Sequence, residues 1–176
     1  PSGSPHIGVN NGAIRLASNS DGSTTRNGVM QFNSAVRSQI TVGTADTNFN
    51  SAVGTIAFWM RTAGNTAGGN EGAMLFDRRD VLGNAFILHD NGRLFVQANP
   101  GGANSFESVA TLTNNLWRHV AITYDQNVPG DISIYIDGVL DSTNPNALPW
   151  SWELRQIELG VSHDGYWRAY NGFMDD

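Results

Sequence analysis

Apolar and polar residues alternate with period two along most of this chain. Over residues 54–61, Ile56, Phe58 and Met60 share one face, and Thr55, Ala57 and Trp59 the other. Val120, Ile122 and Tyr124 alternate with His119, Ala121 and Thr123, and Ile132, Ile134 and Ile136 alternate with Ser133, Tyr135 and Asp137. Such patterning predicts half-buried antiparallel strands. Residues 125–131, rich in Asn, Pro and Gly chemistry, predict a turn that pairs the last two runs. Shorter runs predict further strands over residues 13–16, 29–32, 39–42, 73–77, 85–89, 94–97, 108–112, 157–161 and 172–175. Asp90-Asn91-Gly92 is a hairpin turn signal, because Asn-Gly tolerates the positive φ of a type I′ turn. Residues 19–27 and 62–72 read as polar loops.

Roughly a dozen short strands with turn signals between them predict an all-β, two-sheet antiparallel sandwich. The chain of 176 residues fits one domain. Residues 1–12 read as a linker or edge segment, and 13–176 as a single sandwich.

Composition narrows the partners. Net charge is −6, and all ten basic residues are arginine, which argues against a nucleic-acid groove or a basic membrane surface. There is no cysteine, so disulfides say nothing about compartment. No run reaches the roughly 20 apolar residues of a membrane helix, so no membrane insertion is expected.

The strand pair 117–138 also carries a resemblance. Trp117, the Arg118-His119-Val120-Ala121 run, Thr123-Tyr124-Asp125 and Tyr135-Ile136-Asp137-Gly138 resemble the core hairpin of laminin-G-like domains, which are concanavalin A-like jelly rolls; the chain looks nearest to the bacterial laminin-G-3-type branch. Gly28 to Phe32, Ile56 to Met60, Asn91 to Leu94 and Gly172 to Asp176 resemble further strands of that pattern, covering residues 28–176. The resemblance implies a jelly roll from a secreted or cell-surface protein. It also implies that a final family strand beyond Asp175-Asp176 is missing here. The resulting open sheet edge would be filled by a longer chain, or by a neighbouring domain or chain.

The aromatic-rich stretch toward the C-terminus is the candidate ligand site: Trp150, Trp152, His163, Asp164, Tyr166, Trp167 and Arg168. Aromatic faces stack on the C–H faces of sugar rings, and polar neighbours bind hydroxyls. The same rings also suit the anchoring of long loops onto a sandwich, so both readings stand. The resemblance further implies one structural calcium ion at Asp175 and Asp176, since hard oxygen ligands suit that cation. Adjacent strand residues point to opposite faces, however, and one Asp capping a turn or pairing with an Arg is the alternative. His119, in mid-strand, reads as structural. Arg78-Arg79-Asp80 reads as a solvated turn, although an arginine pair also binds carboxylates bidentately.

Catalysis is not expected. Hydrolases on this jelly roll place carboxylates as Glu-x-Asp-x-x-Glu on one strand, and no such string occurs. Glu153 and Glu158, five apart, fall on opposite strand faces. The first expectation is a non-catalytic carbohydrate-binding module appended to a secreted enzyme or surface protein. The second is a structural or adhesion spacer that engages another protein, and a glycan-active enzyme is the remote third.

Overall fold

Burial follows the alternation. Val120, Ile122, Ile134 and Met60 are wholly inaccessible, and Tyr124, Ile132 and Ile136 nearly so. The computed structural model describes residues 8–43, 51–62, 72–80, 83–98, 104–145, 151–153 and 155–176. Its strands are β1 (Gly8–Asn11), β2 (Ile14–Arg15), β3 (Ser18–Ser20), β4 (Thr25–Asn27), β5 (Met30–Phe32), β6 (Gln39–Val42), β7 (Val53–Arg61), β8 (Gly72–Arg78) and β9 (Asn84–His89). They continue with β10 (Arg93–Gln97), β11 (Phe106–Thr111), β12 (Arg118–Asp125), β13 (Ile132–Ile136), β14 (Val139–Thr143), β15 (Ile157–Leu159), β16 (Arg168–Ala169) and β17 (Gly172–Asp175).

Two sheets stack as a jelly-roll sandwich. The first runs β1-β6-β15-β8-β9-β10-β11, with the short β16 parallel to β8. The second runs β14-β13-β12-β7-β17-β5-β2. Val120 faces Ile136 and Phe58, and Ile122 faces Ile134 and Ile56, so the predicted apolar face becomes the centre of the second sheet. Leu88, Leu94, Phe86 and Val96 supply the opposing layer from the first sheet. Among the described residues no helix is long and apolar enough to cross a membrane.

Two local readings of the sequence change. Residues 19–27 form a hairpin, β3–β4, rather than an open loop. The cause is Asp21, whose carboxylate accepts the Ser23 and Thr24 backbone N–H groups and the Trp117 N–H. Those backbone bonds hold its carboxyl well below the usual carboxylate range. Arg78-Arg79 is not a solvated turn, since both residues are almost fully buried. Arg79 instead makes the bidentate carboxylate contact, with Asp77.

β7 is paired unevenly on its two sides. β17 pairs with β7 only at residues 59–61, whereas β12 pairs with residues 53–60 of β7. Among the described residues no strand flanks residues 53–58 of β7 on the side away from β12. Beneath that edge lies an apolar cleft of about 410 Å³ between the sheets, with Met30, Ile56, Phe58, Leu75, Ile157 and Met174 among its walls.

Core and surface positions should therefore respond differently. Ile122→Ala is expected to cost about 2–5 kcal/mol because it opens a cavity at a wholly buried site. Val139→Ala, at a site 70% exposed, should stay within about 0.5 kcal/mol. Urea unfolding of both variants measures the contrast, and comparable losses would refute the assigned register.

Candidate functional site

The site begins with a strand irregularity. Met74 pairs with Ile87, and Phe76 with Phe86, so the register shifts across Leu75. Leu75 and Phe76 both join the central core, whereas Met74 packs on the outer face of the sheet. A bulge resets the alternation and re-aims the residues that follow. As a result Asp77, like Met74, lies on the outer face, where it pairs with Ala85 and Glu158.

Residues 160–168 close over that carboxylate. Gly160 starts the turn with φ +86°, and a Cβ there would sit 2.4 Å from the Phe32 ring. Only glycine fits both conditions. The His163 backbone N–H (3.0 Å) and ring Nδ1 (2.9 Å) both meet Asp77 Oδ2. Arg79 donates to both Asp77 oxygens at 3.0 Å, to the Ser162 hydroxyl at 2.9 Å and to Asp164 at 3.3 Å. Burial pushes the Asp77 carboxyl up, but the Arg79 guanidinium and the backbone N–H groups of Arg79 and His163 outweigh it and hold the group below its ordinary value. Asp164 is held low in the same way: partial burial opposes the shift, and the Ser162 hydroxyl, the Tyr166 N–H and Arg79 drive it.

This clamp presents the aromatic pair. Trp167 is 9% exposed and packs on Met74, Ala85 and Ile87 of β8 and β9. Tyr166 is 59% exposed and stands edge-on to Trp167, with ring centroids 5.1 Å apart. His89 stacks between Phe95 (4.5 Å) and Trp167 (5.7 Å). Its Nδ1 lies 2.5 Å from Glu107 Oε1, and the Asn91 amide also donates to Glu107. Arg168 forms an ion pair with Asp90.

The structure thus gathers His163, Asp164, Tyr166, Trp167 and Arg168 on one outer face and separates Trp152 from them. Trp152 lies edge-on to Phe76 and Tyr124, beneath the Arg78 guanidinium, and with Ser51 and Ile56 lines a second pocket next to the apolar cleft. Trp150 lies outside the described residues. Trp167 is a buried anchor rather than an open platform, because its ring fills the space above Met74 and Ile87. Sequence reading did not place Asp77, His89, Asp90, Asn91 or Glu107 beside this loop, and it weighed Arg79 as a carboxylate binder only as the alternative to a solvated turn. The Asp90-Asn91-Gly92 turn signal was the available cue to the hairpin that carries three of them. His119 sits on the other sheet's outer face, tilted against Trp59 at 5.2 Å.

Asp175 and Asp176, the expected calcium ligands, follow here the alternative of pairing with an arginine. Both carboxylates meet the same guanidinium, with Arg26 Nε 2.7 Å from Asp175 and Nη2 2.5 Å from Asp176. Asp176, at φ +74°, turns back to reach it despite being the next residue. Among the described residues no group of three or more His, Cys, Asp or Glu side chains gathers as a metal site.

Comparison with known proteins adds the family and the fold. A family model described as the concanavalin A-like lectin/glucanases superfamily, Laminin_G_3, matches residues 33–176. No curated protein matches the chain significantly. Similar solved structures include the binding domain of Paraclostridial Mosquitocidal Protein 1 (TM-score 0.68, 21% identity, 96% of this chain and 42% of that one). Another is the receptor binding domain of botulinum neurotoxin C/D mosaic serotype (TM-score 0.70, 13% identity, 97% and 42%). A third is domain 4 of AbnA, an extracellular arabinanase from Geobacillus stearothermophilus, in complex with arabinotriose (TM-score 0.61, 16% identity, 97% and 79%). The chain spans less than half the length of the toxin binding domains it matches.

Asp77→Ala should cost about 3–5 kcal/mol, since it leaves the buried Arg79 with only the longer carboxylate contact, to the partly exposed Asp164. Amide exchange should then rise across residues 162–168 ahead of the β12–β13 core. The sign with pH follows from the lowered Asp77 value. Its contribution is fully present above the unfolded aspartate pKa of about 4 and is lost as pH falls below that through the folded value. Exchange rates measured between neutral and acid pH test this, and unchanged protection of the loop in acid would refute the clamp.

Proposed function

The chain belongs to the Laminin_G_3 family of the concanavalin A-like lectin/glucanases superfamily, and from that premise we propose that it is a non-catalytic carbohydrate-binding module of a secreted or cell-surface protein. The observation that carries the reading is Tyr166, a largely exposed ring braced edge-on by a buried tryptophan, with its backbone N–H donating to Asp164. A tyrosine held at a fixed angle offers large contact area at small entropic cost. The arabinanase domain, solved with arabinotriose, supports sugar recognition on this fold. Fold likeness alone does not assign function, so the weight rests on the site itself.

Non-catalysis is supported by the disposition of the carboxylates on this face. Asp77, Asp164 and Glu107 are each engaged by arginine, hydroxyl, amide or imidazole donors that hold them as anchors. A glycosidase requires one carboxyl kept protonated near neutral pH. Asp77 and Asp164 are shifted the opposite way.

A second reading has its own observation. The flank of β7 over residues 53–58, with the apolar cleft beneath it, suits an antiparallel strand with alternating apolar residues from a partner protein. Under that reading the domain engages protein rather than glycan.

Retention on immobilised polysaccharides separates the two. Tyr166→Ala should reduce glycan retention about tenfold or more with an unchanged melting temperature. Trp167→Ala should lower the melting temperature as well, because it empties a buried position. If Tyr166→Ala binds as tightly as the parent, the ring is not the platform. Protection of residues 53–58 from amide exchange by a partner, with no glycan bound, would favour the second reading.

A further inference from the structure

Both sheets end on the same flank of the sandwich. Among the described residues β11 is the last strand of the first sheet and β14 the last of the second, and the two touch. An outermost strand presents a row of unpaired backbone groups, which is a template for pairing with another chain. Val109 of β11 and Val139 and Leu140 of β14 are each more than half exposed, so the flank also carries apolar side chains.

Two irregularities meet there. Tyr135 pairs with Leu140 and Ile134 with Ser142, so Asp141 is an extra, bulged residue of β14. On β11 the step from Glu107 to Thr111 matches the shorter step from Phe95 to Arg93 on β10, so Ser108, Val109 and Ala110 fall out of the regular ladder. Asp141 Oδ1 accepts the Val109 N–H at 2.6 Å, and Oδ2 accepts the Ala110 N–H at 2.9 Å. Successive N–H groups of a regular strand point to opposite sides, so one carboxylate takes both only because β11 bulges. The buried Ser108 hydroxyl fixes that bulge: it accepts the Leu94 N–H and donates to the Ala110 carbonyl.

The carboxylate thereby does two things. It ties the outermost strand of one sheet to that of the other, and it occupies two N–H groups that an added strand would seek. It also sets a charge at the centre of β14, whose other residues are Val139, Leu140, Ser142 and Thr143. A two-fold contact between copies joins the same patch on both. Antiparallel pairing of β14 with β14 of a second copy, centred on the strand, therefore sets Asp141 against its counterpart. Like charges directly opposite each other destabilise such a pair. Without Asp141 the strand is uncharged, apolar or β-branched at most positions, and complementary to itself.

We propose that Asp141 is the guard of this flank: it keeps β14 from pairing with a second copy of the chain. That role is independent of glycan binding.

Sedimentation velocity over a range of concentrations tests it, with Asp141→Ala, Asp141→Asn and the double variant Leu140→Lys/Asp141→Ala. Asp141→Ala should strengthen self-association by about tenfold or more, the scale on which juxtaposed like charges oppose an interface. Amide exchange of the associated form should show new protection at residues 139–143. Protection confined to that strand separates edge pairing from aggregation of unfolded chain. Adding Leu140→Lys should restore the parent's behaviour, because a lysine again charges the edge. Asp141→Asn keeps an acceptor for the tie to β11 and loses the charge, so it should associate even where the alanine variant folds poorly. Folded variants that sediment like the parent overturn the proposal. So does association that Leu140→Lys does not reverse, or a parent protein that already pairs through residues 139–143.

Discussion

A single buried carboxylate organises the outer face of this sandwich. Asp77 is 1% exposed and carries a charge that burial alone would not tolerate. Arg79 and the His163 backbone make it tolerable, and the second of these comes from a segment 86 residues away. The interaction therefore couples the C-terminal end of β8 to the loop that displays Tyr166. It depends in turn on the bulge at Leu75. Without that one-residue phase change, Asp77 would point toward Phe86 and the core, and residues 162–168 would have nothing to hold.

The two sheets do different physical work. The second is a packing element: β7, β12 and β13 interlock Ile56, Phe58, Val120, Ile122, Ile134 and Ile136 in direct register. Its outer face is capped by the β3–β4 hairpin, which Asp21 ties to Trp117 and Arg26 ties to Asp175. The first sheet instead carries a second, smaller apolar cluster on its outside, under Trp167. A site built on that cluster stands on strand residues rather than on a free loop, so its side chains are held by packing as well as by hydrogen bonds.

Much of this was legible in the chain. Period-two runs located β12 and β13, because each has one buried face that a one-residue slip would turn to solvent. The Trp117–Gly138 stretch carried the family. β14 was not legible: Val139 and Leu140 are exposed, so no buried face marks it. Asp77 was not legible either, since a bulge leaves no local signature and makes an outward residue read as an inward one. The aromatic stretch marked the loop that Asp77 holds but not its partners, as His89 and Glu107 reach it only through the pairing of β9, β10 and β11.

That stretch was also read as one constellation, and the fold divides it in two. β15 is the reason. It inserts between β6 and β8, with Ile157 and Leu159 packed inward and Glu158 outward. The residues before it are held at the cleft, where Trp152 leans on Tyr124. The residues after it leave through Gly160 onto the opposite face, and the chain returns to the core only at the fully buried Tyr170, whose hydroxyl donates to the Arg61 carbonyl. Tryptophans 15 positions apart thus face two environments, one between the sheets and one outside them. Trp167 does not replace Trp152 as a platform. Being buried, it fixes the height and angle of its neighbour, and that leaves Tyr166 as the exposed aromatic ring of this loop.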